Sequence, residues 1–379
     1  MSDDRLSRRA LNRATLERQG LLERQTGDVA TAVGRLAGLQ AQHANQPYIA
    51  LWSRLADLTI ADLQDALERR SVVRATVMRA TLHVVASADF AIYDTMISAR
   101  RTAMWAATVR RAGVDLPELH ASLMTYCHEP RTVAEMEAHL DTIAPDNVLA
   151  LASPSGVDHV AFRVASTGGG LVHVPPSGFW GQHGKARYVA AATWIGEPGA
   201  QVDLDTAHET AVLRYLGAYG PASLADIAKW LGPARIGTLR AAIERLGDQL
   251  RPRLGDDGRD LLDLADGSLP PEDRVAPVRF LSRWDSVLIS YDARERILPA
   301  AHRAAVAKKN GDFLPTFLVD GFVAGLWSVT RSKAGATLEL TPFGRIGAAD
   351  RRALEDEGER LVRFVEADAP SHAVRWATS

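Results

Sequence analysis

The stretch TAHETAVLRYLGAYGPASLADIAKWLGPARIGTLRAAIERLGDQLRPRLGDDGRDLLDLAD, Thr206 to Asp266, decides the fold. An amphipathic helix is expected from Thr206 to Tyr219, broken by Gly220-Pro221. Ser223 then caps a short helix, Leu224 to Leu231. Gly232-Pro233 makes the next turn, and a third helix, Arg235 to Leu246, carries Ile236, Leu239, Ile243 and Leu246 at helical spacing. The runs from Leu250 to Leu264 fold around Gly255-Asp256-Asp257-Gly258, an Asp-Gly hairpin signal. Three helices followed by a hairpin is the winged-helix order.

With that template, a second copy is expected within residues 112–200. Leu116 to Cys127, a helix capped by Thr132 from Val133 to Leu140, and Val157 to Ala165 supply its helices. Its long wing runs from Leu171 to Pro175 through an aromatic tip, Pro176-Ser177-Gly178-Phe179-Trp180-Gly181, and returns near Arg187 to Ala191. Residues 1–111 repeat the logic with helices at Arg8 to Arg24, Val29 to Gln40, Tyr48 to Arg54 and Ile60 to Arg70, then an extended pair around Val72 to Val85. The third module spans 201–270. From 275 to 379 the pattern shifts to extended runs, Ser286 to Tyr291, Phe313 to Val319, Phe322 to Val329 and Thr337 to Leu340, before a helix Ala348 to Ala367. The fold class expected is α+β: three tandem winged-helix modules followed by a small C-terminal β-barrel-like domain.

Composition narrows the function. The 379 residues are 46% hydrophobic and 24% charged, which suits several small cores and excludes a disordered or fibrous chain. No run approaches the roughly 18 apolar residues of a membrane helix, and Met1 to Arg9 lacks the apolar core of a secretory signal. Cys127 is the only cysteine, which excludes internal disulfides and multi-cysteine zinc sites. A cytoplasmic, nucleoid-associated location is expected, with no membrane partner. The net charge of −2 conceals an asymmetry: residues 1–111 hold 16 arginines and no lysine against 11 acidic side chains, whereas the remainder is net acidic. A positive N-terminal part suits phosphate contact, and an ordinary arginine-rich solvated surface fits the charge equally well.

Candidate chemistry centres on Gln40. Asp28 caps the helix from Val29, and Val33, Leu36 and Gln40 continue its apolar stripe. A buried amide without partners costs on the order of 1 to 3 kcal/mol, so Gln40 must bond a neighbouring backbone turn or line a cavity. Gln42 addresses the same substrate only if the helix ends or bends near Ala41. His83 follows Thr81 in an alternating run and is read either as a packed histidine or as a DNA or active-site contact. Arg74 and Arg79 bracket the same extended pair as candidate phosphate ligands. Phe179 and Trp180 are either the lid of a local core or a wedge inserted into DNA. Arg235, Arg240 and Arg245 sit on or near a recognition-type helix, which in a tandem array is read either as DNA-facing or as packed against its neighbours. Asp285, Asp292 and Arg294 fit structural pairing better than a metal site, because no ligand-spaced histidine accompanies them.

Leu39-Gln40-Ala41-Gln42, within Leu36 to Leu55, resembles the catalytic Gln-x-Gln signature of the AlkZ-like winged-helix DNA glycosylases. Also similar are Arg79-Ala80-Thr81-Leu82-His83, Pro175 to Gly181 with Arg187, Trp284-Asp285 through Arg294, Asn310-Gly311, Leu314-Pro315-Thr316 and Val319-Asp320-Gly321. The resemblance implies excision of bulky alkylated bases and unhooking of interstrand crosslinks, with Gln40 and Gln42 catalytic and Arg74, Arg79, His83, Phe179, Trp180 and Arg187 on the DNA side. Gln42 sets the chain apart from a related branch carrying Gln-x-Asp. An N7-alkylated purine already carries a charge that weakens its glycosidic bond, so a positioned water and stabilisation of an oxocarbenium-like sugar suffice. The absence of lysine before Lys185 removes a Schiff-base nucleophile from the N-terminal region. The expectation is a monofunctional, monomeric glycosylase acting on double-stranded DNA with alkylated or crosslinked bases, with no metal or organic cofactor. The rival reading is a non-catalytic winged-helix regulator or architectural factor.

Overall fold

The computed structural model describes residues 5–144, 149, 157–196, 199, 201–232 and 236–377. In the stretch from Thr206 to Asp266, helix Leu204–Tyr219 starts where Asp203 accepts from the Thr206 amide, and it ends at Gly220. A capping box between Ser223 and Asp226 starts helix Leu224–Leu231. Helix Ile236–Leu246 follows; Arg235 lies outside the described residues. Strands Leu250–Gly255 and Asp260–Leu264 then pair antiparallel. The helices meet through Ala211, Val212, Tyr215, Leu216, Trp230, Leu239 and Leu246, all buried in one apolar cluster. The hairpin also pairs in parallel with a two-residue N-terminal strand, Arg5–Leu6.

The N-terminal helices are shorter than their apolar patterns predict. Helix Arg8–Arg18 stops at Gln19, ahead of Gly20 at φ 65°. Helix Val29–Arg35 also falls short, and helix Gln46–Trp52 begins on the amide before Pro47. After helix Ile60–Glu68, strands Val72–Val77 and Thr81–Ala86 form the expected hairpin. Beyond it stands a 26-residue helix, Ser87–Ala112, that the pattern analysis does not anticipate. The hydrophobic periodicity of this helix is weak because it is buried by neighbours on more than one side only along its first half, down to Ser98, with Thr108 the one fully covered residue beyond.

The second set of elements is helices Leu116–Tyr126, Val133–Asp141 and Val160–Ala165 with strands Leu171–His173 and Arg187–Ala190. Its strands do not stand apart from the first hairpin. A single registered pair, Arg74 with His173, fuses them into a six-stranded sheet whose outermost strand is Leu39–Gln40.

The C-terminal region differs from expectation. It is an open five-stranded sheet in chain order, with Arg279–Leu281 at one edge and His372–Trp376 at the other, and not a closed barrel. Helix Ala348–Val365 buries Leu354, Leu361 and Val362 against Phe280, Leu338 and Leu340 of this sheet, so the sheet is covered by a helix and has no need to close on itself. Ser286–Ile289, expected extended, is a short helix capped by Asp285.

Candidate active site

Helix Val29–Arg35 ends because Ala37 and Gly38 both adopt positive φ, 54° and 85°. A Cβ on Gly38 would lie 3.0 Å from both Met78 Cε and Val85 Cγ1, so the turn is pressed against the hairpin and glycine fits it best. The chain then runs antiparallel to strand Thr81–Ala86, with Leu39 opposite Val84 and Gln40 opposite His83. Gln40 is therefore an edge-strand residue and not the last member of a helical stripe. The Ala41 amide extends the ladder by donating to the Leu82 carbonyl at 2.7 Å. At the next position the side chain takes over, and Gln42 Oε1 accepts from the Leu82 amide at 3.0 Å. The strand ends at Gln40, and Gln42 stands in the bend that follows it, tied to the same partner strand through Leu82.

The hydrogen bonds fix both amides. Arg79 Nη2 donates to Gln40 Oε1 at 3.0 Å, as the Leu82 amide does to Gln42 Oε1. Each partner is a donor, so each glutamine must offer its carbonyl oxygen there. Among the described residues neither NH2 group has a partner, and each carbonyl oxygen keeps a second lone pair. Gln40 is half-buried and Gln42 exposed.

Arg79 organises this edge. It sits at φ 57° in the hairpin turn, and its Nη1 donates to the Trp230 carbonyl at 2.9 Å. Its Nη2 also meets His83 Nε2 at 3.1 Å. His83 Nδ1 lies 2.9 Å from the Thr81 carbonyl, which can only accept, so Nδ1 carries the proton and Nε2 accepts from Arg79. Burial, together with the adjacent Arg79 charge, pushes the His83 pKa down to about 3. The imidazole is neutral at physiological pH. Burial also lowers Arg79 to about 10, which leaves it a cation.

The other sequence candidates divide by location. Arg74 is 8% exposed and turned inward. It donates to the Ala41 carbonyl at 2.9 Å from Nη2 and to Ser177 Oγ at 2.8 Å from Nη1. It braces the residue between the two glutamines from behind. The Phe179-Trp180 tip lies on the core of the N-terminal region, with Trp180 edge-on to Tyr48 at 5.4 Å and to Phe364 at 5.9 Å, and the Tyr48 hydroxyl donating to the Gly178 carbonyl. This is the lid arrangement. Arg187 is exposed on the fifth strand of the sheet, remote from the first, and donates to the Pro130 carbonyl at 2.6 Å. Arg240 is exposed, and Arg245 pairs with Asp205 and Glu209. Asp285 forms a buried ion pair with Arg54 at 2.7 Å, and Arg294 lies over the Phe313 ring at 5.0 Å. Among the described residues no group of three or more His, Cys, Asp or Glu side chains is placed to hold a metal, and no helix is long and apolar enough to cross a membrane.

Three residues beside the glutamines have no functional role in the sequence reading, where His43 and Asn45 serve only to end the helix. The Asn45 side chain accepts from the Gly181 amide at 2.7 Å, Gln46 bonds the His43 amide, and His43 stacks on Trp284. Only their place directly after Gln42 signals them in the sequence.

Comparison with known proteins gives a consistent result. The family described as DNA glycosylase AlkZ-like matches residues 33–364, which includes the whole edge-strand segment. An interstrand DNA cross-link repair glycosylase from Streptomyces sahachiroi is 26% identical over 371 residues, covering 92% of this chain and 94% of its own. The structure of Streptomyces sahachiroi DNA glycosylase AlkZ superposes with a TM-score of 0.82 at 24% identity, covering 98% of this chain and 100% of that one.

Proposed function

Since the chain belongs to the AlkZ-like DNA glycosylase family, we propose that it excises bulky N7-alkylated purines from double-stranded DNA and unhooks interstrand crosslinks, with Gln40 and Gln42 as its catalytic residues. The observation that carries this reading is the pair of glutamine amides whose carbonyl oxygens are locked by Arg79 and Leu82 while their NH2 groups stay open. The three helix-and-hairpin units serve as winged helices that present this edge to the duplex.

The chemistry suits amides. An N7-alkylated purine departs as a neutral base, so no strong general acid is required. Each glutamine holds a water by donating from its NH2 group and accepting on its remaining lone pair, and two fixed amides restrict that water to one approach on the anomeric carbon. Bond cleavage precedes or accompanies water attack, the glycosidic electrons leave with the base, and the water proton passes to solvent. Arg79 polarises the Gln40 amide and strengthens its NH2 donors. Neutral His83 holds Arg79 without adding a second cation beside a sugar that develops positive charge.

The test is incubation with a duplex carrying a defined N7-alkylguanine, followed by mild alkali to cut abasic sites. Wild type is expected to release the base and leave an alkali-labile site. Gln40→Ala and Gln42→Ala are expected to slow single-turnover release by about 100-fold, the usual scale for losing one preorganised polar group. Borohydride is expected to trap no covalent adduct. Duplex binding without base release from any lesion, crosslinks included, would overturn the reading in favour of a non-catalytic DNA-binding protein.

A further inference from the structure

His43 follows Gln42 directly and is exposed, yet its ring is held in place. It lies nearly parallel to Trp284, with 12° between the planes and 5.5 Å between centroids. One residue ties the two ring-bearing segments together. Gln46, 5% exposed, accepts from the His43 amide at 2.9 Å and donates to the Arg283 carbonyl at 3.0 Å. A C-terminal tryptophan is thus fastened beside the glutamines of the N-terminal edge strand.

Trp284 is also unusual in its backbone. Its φ is 50°, a region bulky side chains rarely enter, and such geometry persists only where surrounding bonds impose it. Here they do: its amide donates to the Phe313 carbonyl at 3.1 Å, and its indole N–H donates to the Gly311 carbonyl at 2.9 Å. The indole N–H is therefore satisfied from the protein side; the ring is half-buried against the C-terminal apolar cluster, and its exposed part is what a ligand can meet. Arg283 lies over the same ring at 5.4 Å, held by Asp312. The turn that accepts the indole bond carries Lys308 and Lys309, both exposed and, among the described residues, without an acidic partner. Aromatic faces bordered by free cations are the elements that proteins use to hold unstacked bases and their phosphates.

We propose that His43 and Trp284 form a stacking platform for a flat aromatic group of the substrate, either a nucleobase at the lesion or the aromatic part of a bulky N7 adduct, with Lys308 and Lys309 contacting the adjacent phosphates. This deepens the proposed function, because it places a substrate-positioning surface one residue beyond Gln42. It is a positioning role: neither ring touches the bond that breaks.

The experiment compares wild type with His43→Ala, Trp284→Ala and Trp284→Phe in single-turnover excision. One duplex carries N7-methylguanine and the other a bulky aromatic N7 adduct, each with 2-aminopurine beside the lesion. The expected result is a rise of about ten-fold in half-saturation for both alanine variants with little change in maximal rate, loss of the 2-aminopurine fluorescence change on binding, and recovery with Trp284→Phe. Equal effects on both duplexes identify a nucleobase as the occupant, and an effect confined to the bulky adduct identifies the adduct. Circular dichroism excludes misfolding, and His43→Ala, altered at an exposed side chain, keeps the test valid if Trp284→Ala does not fold. Folded His43→Ala with wild-type half-saturation on both duplexes and an unchanged fluorescence response overturns the platform. If wild type releases no base, the proposed function fails, and the fluorescence arm still decides the platform.

Discussion

The protonation state of His83 follows from two contacts, the Thr81 carbonyl behind Nδ1 and Arg79 in front of Nε2, and a second buried histidine behaves alike. Burial, with the adjacent Arg74, pushes His173 down to about 3. In the unfolded chain both titrate near 6.5. The unfolded state therefore binds more protons than the folded state between about pH 3 and 6.5, so stability is fully present above pH 6.5 and falls as pH drops through that window. Asp94 acts in the opposite sense: burial raises it to about 6, so it takes up a proton in the folded state as pH falls and offsets part of the loss. From pH 6.5 to 5 each histidine is expected to remove on the order of 2 kcal/mol. The check is urea denaturation at both pH values. Wild type should lose stability on acidification, and His173→Asn should show a shallower loss. An equal slope in the two proteins would show that His173 is not held neutral. The sequence offered Gln40, Gln42, Arg79 and His83 as separate candidates, and the structure brings these four to one edge. Arg74 was legible as a residue of the same hairpin, but its inward turn depends on Ser177, 103 positions away, which no local pattern encodes.

Among the elements, the turn at Ala37-Gly38 determines where the glutamines point. The spacing of Val29, Val33 and Leu36 extends to Gln40 if the helix continues, and helical periodicity alone carries no signal for stopping at Arg35. What stops it is the left-handed turn at Ala37-Gly38, which pairing with strand Thr81–Ala86 holds in place. Gly38→Ala is therefore expected to destabilise the protein by at least about 1 kcal/mol, because it adds a Cβ in a left-handed conformation against Met78 and Val85. It should also slow base release more than it weakens duplex binding, since it shifts the strand that carries both glutamines. Thermal denaturation and single-turnover excision on one preparation measure the two effects; excision at the wild-type rate in a destabilised protein would separate this turn from catalysis. The elements of Thr206 to Asp266 were readable for the converse reason. Ser223, Gly220-Pro221 and Asp257-Gly258 are local start and stop signals, each acting within a few residues, whereas the Asp203 cap that starts the first helix at Leu204 was not read. Of the C-terminal strands, Thr316–Val319, Phe322–Ser332 and Gly335–Pro342 were legible; the edge strands Arg279–Leu281 and His372–Trp376 were not, nor was whether the sheet closes. That depends on helix Ala348–Val365 and on the parallel return of His372–Trp376, which follows the other strands by some thirty residues.

Across the whole molecule, the N-terminal region that carries the site is bound to distant parts of the chain by arginines. Arg18 pairs with Asp263, Arg24 with Glu357, Arg54 with Asp285, and Arg79 reaches the Trp230 carbonyl. The arginine surplus of residues 1–111, which fits phosphate contact and an ordinary solvated surface equally well, serves in large part as internal bracing, a use that net charge by segment does not reveal. Arg54–Asp285 is the most buried of these pairs, with side chains 2% and 0% exposed, and Arg54 also donates to the Ala50 carbonyl. Asp285 in turn immediately follows Trp284 and caps Ser286–Ile289. Removing the carboxylate alone leaves a desolvated guanidinium without its counter-ion, so Asp285→Ala is expected to cost about 3 to 5 kcal/mol. Arg54→Met combined with Asp285→Ala removes both charges and should recover much of that loss. Among the described residues no hydrogen bond or ring contact joins the pair to Gln40 or Gln42 or to the His43 and Trp284 rings, so the folded fraction of each variant should excise at a rate set by the glutamines. Chemical denaturation followed by both tryptophan fluorescence and circular dichroism makes the measurement. Coincident transitions in wild type would show that the N- and C-terminal regions unfold as one unit. A double variant no more stable than Asp285→Ala would show instead that the capping bond of Asp285, and not its charge, holds this junction.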